Sequence, residues 1–403
     1  MNYFKNISVL LTLALLFQSC QKDLLETIPN DRISTEIFWK TDQDATLAAN
    51  AVYTYLTENA NHYFSWDGMS DIGYSHSPQS PESFILQGQF DALNGRVSDD
   101  WDRAYAGIHA ANSFLANVDK VDTKNPALID RLKGEVRTLR AYLYIRLAFL
   151  FGDVPLVTTE ISLDESKKQT RAPVSQVWDF ISQELTEAAD LLPKTQTDKG
   201  RITKGAALAI KARAMLYAGR YQDAANAAQA VMDLNTYHLY SSYKNLFSYA
   251  AENNPEVILD IQFIKDTYSN NAFATLAPKS QNGNSIYVPT RNLVDAYEMS
   301  NGDSIGDAGS GFDPYNPYQD RDPRLLYSVF VPGDSLPNGG IFNPKPDSKT
   351  GDAVYSTFVV SPTGYNLKKY VNKEDLSIPG NCGINLILVR YAEVLLTYAE
   401  AKT

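Results

Sequence analysis

Residues 200–234 read GRITKGAALAIKARAMLYAGRYQDAANAAQAVMDL, a pattern that predicts two helices folded back on each other. Thr203 occupies the N-cap position of the first helix, and residues 206–218 carry only Lys211 and Arg213 as charges, so protein should surround that helix. After a short break, the second helix places one apolar stripe opposite polar residues. The stripe consists of Tyr221, Ala224, Ala225, Ala228, Val231 and Met232. Because alanine lets helix axes approach closely, the pattern favours stacked helix hairpins.

The composition is that of an acidic globular protein. The chain has 403 residues, which is enough for a sizeable core. Its formal net charge of −11 argues against nucleic acid as a partner, because affinity for phosphates rests on lysine and arginine. Tyrosine outnumbers phenylalanine by 25 to 17, which favours aromatic rings at hydrated surfaces.

The N-terminus has the pattern of a bacterial lipoprotein signal peptide over residues 1–19. A basic start is followed by the apolar run 7–17 and a small residue directly before Cys20. The run is too short to span a bilayer. We predict that Cys20 is lipidated and that residues 20–35 form an extended tether to the membrane. An ordinary secretory signal with a chance cysteine is the alternative.

Further helices are predicted on both sides of the hairpin. A capping box of Thr41 and Asp44 precedes the first of them. The others are Asp100–Val121, Pro126–Phe151, Pro173–Leu192 and Leu386–Ala401. The arginines of Pro126–Phe151 are predicted to pair with acidic residues inside the helix stack, and Gly152 should end that helix. These arginines are Arg137, Arg140 and Arg146.

The second half of the chain differs from the first in composition. From residue 237 to about residue 383, Pro, Gly, Asn and Asp are scattered without helical periodicity. Only short strand-like pieces occur there, at Glu256–Phe263 and Leu325–Pro332. We therefore expect loops that cover the helices of the first half.

Two of the irregular segments have the composition of a sugar-binding site. A pyranose offers an apolar C–H face that packs on aromatic rings, and hydroxyls that need carboxylate, amide or guanidinium partners. The loop at residues 59–95 supplies Tyr63, Trp66, Asp67, Asp71 and Tyr74. The second segment supplies Tyr268, Asn270, Phe273 and Tyr287. These nine residues are the candidate ligand contacts, with Trp66 the foremost; packing within the loops is the alternative for each aromatic ring.

Signatures of catalysis and of metal binding are absent from the sequence. There is no GxSxG, HExxH, GxGxxG or P-loop, and the four histidines are scattered. Asp99 and Asp100 are interpreted as a capping pair at a helix start rather than as a catalytic acid pair. Residues 301–307 are interpreted as a solvated turn rather than a calcium loop. We predict no catalytic residue, metal or cofactor, and a free thiol at Cys382.

Six segments, in this order along the chain, resemble the SusD/RagB family of nutrient-binding outer-membrane lipoproteins. They are SCQKDLLETIP (19–29), FWKTDQDA (38–45), GEVRTLRAYLYIRLAFLFGDVPLV (134–157), GRITKGAALAIKARAMLYAGRY (200–221), DRDPRL (320–325) and VRYAEVLLTYAEA (389–401). Six spaced matches are far more specific than any one of them.

The resemblance implies a mostly α fold of tetratricopeptide-like helical hairpins with long ligand-binding loops. It implies one domain over residues 36–403, with a helical repeat part (36–235), a loop-rich part (236–385) and the start of C-terminal helices (386–403), the C-terminus being truncated relative to the family. Such proteins are lipid-anchored on the cell exterior, where they bind a glycan or peptide and deliver it to a SusC-type TonB-dependent transporter without catalysis. A helical glycoside hydrolase or lyase, and a tetratricopeptide-like scaffold or peptide-binding lid, are the alternatives.

Overall fold

The structure, a computed structural model, describes residues 38–56, 60–77, 80–355 and 360–403. The predicted signal peptide, the tether and Cys20 lie outside these residues. Thirteen α-helices occur in the described part of the chain. In chain order they are α1 (Asp42–Tyr53), α2 (Ala60–Ser65), α3 (Pro81–Leu86), α4 (Gly95–Asn117), α5 (Pro126–Phe151), α6 (Leu163–Ser166), α7 (Val174–Leu191), α8 (Lys204–Tyr217), α9 (Tyr221–Asp233), α10 (Ala272–Leu276), α11 (Arg291–Ala296), α12 (Pro323–Ser328) and α13 (Tyr391–Lys402).

The long helices stack side by side in a continuous layer. Helix α4 packs on α5, α5 on α7, α7 on α8, α8 on α9, and α9 on α13. One apolar core, to which the helices contribute most of the residues, runs through this layer. The mostly α fold built from helical hairpins is therefore confirmed.

The hairpin of α8 and α9 forms as the sequence predicts. Thr203 caps α8, its hydroxyl accepting a hydrogen bond from the N–H of Ala206 at 3.3 Å. Five residues of α9 are buried, namely Ala224, Ala225, Ala227, Ala228 and Val231. Tyr221 was predicted on this stripe but is 56% exposed, because it begins α9 at the turn, where α8 has already ended. The capping box of Thr41 and Asp44 is also present, at the start of α1.

Buried ion pairs connect the stacked helices. Arg137 and Arg140 of α5 both bind Glu184 of α7, and Arg146 binds Asp100 of α4 at 2.5 Å. The predicted pairing of the three arginines is confirmed. Gly152, with φ of 69°, ends α5 as predicted, in the left-handed backbone region that suits glycine.

Three antiparallel strand pairs lie in the described residues. They join β1 (Gly73–Ser75) to β3 (Tyr287–Pro289), β2 (Val257–Ile261) to β6 (Leu386–Arg390), and β4 (Val329–Phe330) to β5 (Asn366–Leu367). A second apolar core lies mainly in the loop-rich half and includes Phe273, Tyr287 and Tyr370, with Phe64 of α2 packed into it. No helix among the described residues combines the length and apolar character needed to cross a bilayer.

Two predicted elements were wrong. Residues 386–390 form strand β6 rather than the start of a helix, because this short apolar run, LILVR, pairs with β2, and periodicity cannot tell so short a run from a helix. The predicted strand-like piece Leu325–Pro332 begins inside helix α12, which Asp322 caps, and only Val329 and Phe330 form a strand.

Gly134, on α5, lies in close contact with the C-terminal end of α7. A Cβ there would lie 2.7 Å from Leu192 Cγ and 3.0 Å from the Ala188 carbonyl oxygen. We expect Gly134→Ala to lower the free energy of unfolding by about 1–3 kcal/mol through overpacking, even though alanine favours helices. Urea denaturation measures this change. In the control Gly95→Ala the new Cβ would lie 3.9 Å from its nearest neighbour, so equal losses in the two variants would contradict the packing argument.

Candidate functional site

The pairing of β1 with β3 brings the two predicted binding segments together. Tyr74 lies opposite Val288, and Ser75 lies opposite Tyr287. Beside the strands, the Thr290 hydroxyl donates to the carbonyl of Asp71 at 2.6 Å. Residues more than 200 positions apart are thereby held next to each other, and the turn that carries Trp66 and Asp67 rests on this small sheet.

Next to this turn is a pocket of about 1040 Å³, which we call the Trp66 pocket. It lies between the turn after α2, the segment from α3 to the start of α4, and the C-terminal end of α5. Five aromatic rings and four carboxylates line it, together with two arginines and several apolar side chains. The rings and charged groups are Trp66, Phe90, Trp101, Phe149, Phe151, Asp67, Asp91, Asp100, Asp102, Arg96 and Arg171.

A buried cluster of charges holds Trp66 in place. The guanidinium carbons of Arg96 and Arg146 lie 4.6 and 5.5 Å from the centre of the indole ring. Asp100 binds both cations, Arg96 Nε at 2.8 Å and Arg146 Nη2 at 2.5 Å. Arg96 also donates to the Ser65 hydroxyl. The indole is half-buried, and its uncovered part lines the pocket. The two arginines hold the ring in a fixed position.

The same cluster corrects the interpretation of Asp99 and Asp100 as a capping pair. Helix α4 begins five residues before Asp100, at Gly95, and its N-cap is Asn94, whose side chain accepts from the N–H of Arg96 at 3.0 Å. Asp100 is therefore an interior residue of the helix. Its buried charge is compensated by the two arginines.

The rest of the pocket wall is unusually apolar for an open surface. Phe90 is 53% exposed and Phe149 59% exposed, and Leu150 lies beside them. Trp101 packs edge-on against Phe151, with 5.2 Å between ring centres. Exposed rings of this kind in a concave site are typical of ligand-binding surfaces.

Asp67 supplies a carboxylate to the pocket. Its side chain is exposed to the pocket, yet the surrounding protein excludes enough water to raise its pKa above the ordinary value, while the Lys369 charge acts in the opposite direction. A carboxylate beside aromatic rings can accept hydrogen bonds from hydroxyl groups of a ligand whose apolar face packs on those rings.

Comparison with protein families identifies the fold. A family described as "Starch-binding associating with outer membrane", SusD-like, matches residues 29–216, and the SusD family matches residues 255–403. Together the two matches cover most of the chain. The chain belongs to the SusD family.

Individual SusD-family proteins resemble the chain over nearly its whole length. A SusD-like protein of Formosa agariphila is 27% identical, covering 100% of this chain and 79% of the relative. The crystal structure of a SusD-like carbohydrate-binding protein from Bacteroides fragilis superposes with a TM-score of 0.82 at 26% identity, covering 90% of this chain and 74% of that one. A laminarin-binding SusD-like protein shares the fold, with a TM-score of 0.68 at 22% identity, over 90% of this chain and 81% of that one.

Within this SusD-family chain, two of the nine candidate contacts line the Trp66 pocket, Trp66 and Asp67. Asp71 lies just before strand β1 and Tyr74 lies within it, both close to the pocket. Tyr287 is buried and packs against Gly68, where a Cβ atom would lie only 2.7 Å from the tyrosine ring. The other four lie elsewhere. The Tyr63 hydroxyl donates to the Ile387 carbonyl, and the ring of Tyr268 stacks on Phe263. Asn270 is buried and donates to the Ile384 carbonyl, and Phe273 is fully buried.

Several pocket residues of this family member were not among the sequence candidates. Trp101 lies within the predicted helix Asp100–Val121, and Phe149 and Phe151 lie at the end of the predicted helix Pro126–Phe151. The available signal was the cluster of aromatic residues in AFLFG, directly before the glycine that ends α5. It predicts rings at a helix end, where they are exposed.

Residues 301–307 and Cys382 have the local structure that the sequence predicts. In residues 301–307, Asn301 Nδ2 donates to Asp303 Oδ2 at 2.8 Å and the N–H of Ser304 to Asp307 Oδ2 at 2.9 Å, which is the expected turn. Among the side chains that the structure describes, no three His, Cys, Asp or Glu form a metal-binding group. Cys382 is a buried free thiol, as predicted.

Proposed function

We propose that this chain is a glycan-binding lipoprotein of the outer membrane. It binds an oligosaccharide or polysaccharide in the Trp66 pocket and delivers it, unchanged, to a SusC-type TonB-dependent transporter. Cys20 carries the lipid anchor, and the binding face points to the cell exterior. The observation that carries the proposal is the large open pocket in which aromatic rings and carboxylates stand side by side in a SusD-family fold.

The chemistry of the pocket supports a sugar over a purely apolar ligand. Trp66, Phe90 and Phe149 provide surfaces for pyranose C–H faces, while Asp67 and Arg171 provide an acceptor and a donor for hydroxyls. The description of one matching family as starch-binding, and of the Bacteroides fragilis relative as carbohydrate-binding, agrees with this assignment.

Isothermal titration calorimetry of the purified chain against a panel of oligosaccharides tests the proposal. We expect at least one glycan to bind and to be recovered intact. Co-purification with a TonB-dependent transporter from the native outer membrane tests delivery. Absence of binding to every glycan of the panel would contradict the binding function. Absence of the transporter from the purified complex would contradict delivery.

Glycan affinity is expected to depend on the protonation of Asp67. Because its pKa is raised, this carboxylate takes up a proton at a higher pH than an exposed aspartate, whose pKa is about 3.9. Protonation removes the charge that strengthens hydrogen bonds from sugar hydroxyls, so affinity should fall as the pH is lowered from about 7 to about 4. Calorimetry across this range measures the effect. Asp67→Asn should bind more weakly at neutral pH and show a flat profile; a profile like that of the wild type would assign the titration to another group.

Membrane attachment is expected to depend on Cys20. Cys20→Ala removes the acceptor for the lipid, and a protein held only by acyl chains then loses its anchor. Fractionation of cells should move the variant from the membrane pellet to the soluble fraction. Cys382→Ala is the matched control and should stay in the pellet; a membrane-bound Cys20→Ala would argue against the anchor.

A second candidate function is glycoside cleavage at the same pocket. The carboxylates of Asp67, Asp91 and Asp102 in the pocket lining are the observation that favours it, since glycosidases use a pair of acids, and burial raises the pKa of Asp67. Measurement of reducing ends after incubation with a bound glycan separates the two functions. Release of reducing ends that disappears in Asp67→Asn would establish catalysis, whereas an unchanged glycan supports simple binding.

A further inference from the structure

The loop-rich half contains a second cavity with the opposite charge character to the whole chain. It encloses about 530 Å³, and we call it the lysine cavity. Three lysines line it, Lys244, Lys368 and Lys369, and its lining includes one carboxylate, Asp334. In a protein with a formal net charge of −11, such a concentration of ammonium groups in one concavity calls for a physical explanation.

Lys368 has its charge compensated. Its Nζ lies 2.8 Å from Asp334 Oδ2 and donates to the Leu326 carbonyl at 2.6 Å. The side chains of Lys368 and Asp334 are only 20% and 19% exposed. This pair therefore forms part of the cavity wall, and the remaining charge of the cavity comes from the other two lysines.

Lys369 is held in place by aromatic rings. Its Nζ lies 4.6 Å from the centre of the Phe247 ring and 5.2 Å from that of Tyr243. Although burial acts to raise the pKa of Tyr243, the Lys369 charge lowers it overall. No described carboxylate lies within 4.0 Å of the ammonium group of Lys369 or of Lys244. The half-buried Lys369 is thus preorganised by cation–π contacts and lacks a close anionic partner in this part of the chain.

We propose that the lysine cavity binds an acidic sugar, with Lys369 and Lys244 contacting its carboxylate or sulfate ester. The ring of the sugar packs on Phe247 or Tyr327, and the side chains of Asn245 and Asn372 supply donors and acceptors for its hydroxyls. This inference rests on the proposed glycan-binding function and defines its substrate class as anionic glycans.

Electrostatics explain why the cavity selects acidic sugars over neutral ones. A charge in a partly dehydrated cavity interacts with an opposite charge several-fold more strongly than it does in bulk water. A neutral sugar would cover Lys369 without compensating it, whereas a carboxylate or sulfate completes the pair.

Calorimetry with matched oligosaccharides tests the inference. The probes are tetragalacturonate, its carboxyl-reduced neutral counterpart and a sulfated galactan tetrasaccharide. At low salt, we expect an acidic probe to bind at least about tenfold more tightly than the neutral one, a difference that the calorimetric Kd resolves. Preference for tetragalacturonate identifies uronate as the recognised group, and preference for the sulfated probe identifies sulfate.

Lys369→Met should abolish the preference for the acidic probe, because methionine removes the charge but keeps an apolar stem over Phe247. Lys167→Met, at a lysine directly after helix α6 whose side chain is 64% exposed, is the matched control and should behave as the wild type. Circular dichroism and thermal unfolding check that both variants fold. Acidic binding that persists undiminished in Lys369→Met would overturn the inference.

The two proposals fail in different ways. Binding of the neutral probe that requires Trp66, without preference for either acidic probe, overturns the lysine cavity alone. Absence of binding to all three probes and to the neutral oligosaccharide panel overturns the glycan-binding function and the cavity with it.

Discussion

Replacement of Glu184 by glutamine is expected to lower the free energy of unfolding by about 3–5 kcal/mol, the range found when one partner of a buried ion pair is removed. Glu184, on α7, is 2% exposed and binds Arg137 and Arg140 of α5. Glutamine keeps the shape of the side chain but leaves two guanidinium groups without their shared charge.

The surroundings of Arg140 explain the size of this effect. Arg140 is 5% exposed, and its Nη1 donates to Asn112 Oδ1 at 2.6 Å and to the Thr158 carbonyl at 3.0 Å. These neutral acceptors cannot neutralise the charge, and the residue cannot move to solvent without opening the contacts among α4, α5 and α7. The cost of an uncompensated buried cation therefore stays in the folded state.

Glu187→Gln is the matched control for this prediction. Glu187 lies on the same helix and binds the same Arg137 at 2.7 Å, but its side chain is 41% exposed. A surface pair of this kind contributes at most about 1 kcal/mol. Urea denaturation of the three proteins gives the comparison. Losses of similar size in the two variants would show that burial does not set the strength of these pairs.

Trp66→Ala is expected to weaken glycan binding by about 1–3 kcal/mol, the cost of removing one stacked ring in other ligand complexes. This corresponds to a Kd that rises by about five- to 150-fold. The indole lines the Trp66 pocket, and its cation–π contacts with Arg96 and Arg146 hold it in place. Binding therefore costs little conformational entropy of this ring. Calorimetry with the glycan identified for the wild type measures the change.

Two further variants make this result specific. Tyr268→Ala removes a ring that is 49% exposed but stacks on Phe263 outside the Trp66 pocket, so affinity should not change. Trp66→Phe keeps an aromatic surface over the arginines and should retain part of the affinity. Thermal unfolding of Trp66→Ala reports any loss of the cation cluster. Equal weakening by Tyr268→Ala, or no weakening by Trp66→Ala, would place the ligand elsewhere.

The helical half of the fold was predictable because its signals are local. A capping residue such as Thr203 or Asn125 satisfies backbone N–H groups two or three residues away, and Gly152 ends a helix through its own backbone angles. Apolar stripes at helical spacing then indicate which sides are buried. For these reasons the bounds of α5 agree with the prediction at both ends.

The strand β6 shows where local signals fail. Leu386–Arg390 continues directly into helix α13, and its apolar residues suit a helix or a strand. The choice depends on β2, about 130 positions earlier in the chain, which offers backbone partners between Val257 and Ile261, with irregular register on both sides of Leu259. Such a partner at long range cannot be read from the segment alone.

For the site, the residue types indicated which chemical groups to expect, and the family pattern indicated the fold that carries them. Rings and carboxylates in one loop indicated Trp66 and Asp67, since recognition of sugars requires those groups. Which rings are open to solvent depends on the folded chain, which buries Phe273, exposes Phe149 at a helix end and brings Lys369 beside Phe247. Exposure and charge compensation depend on contacts between distant segments, and those contacts exist only after the chain has folded.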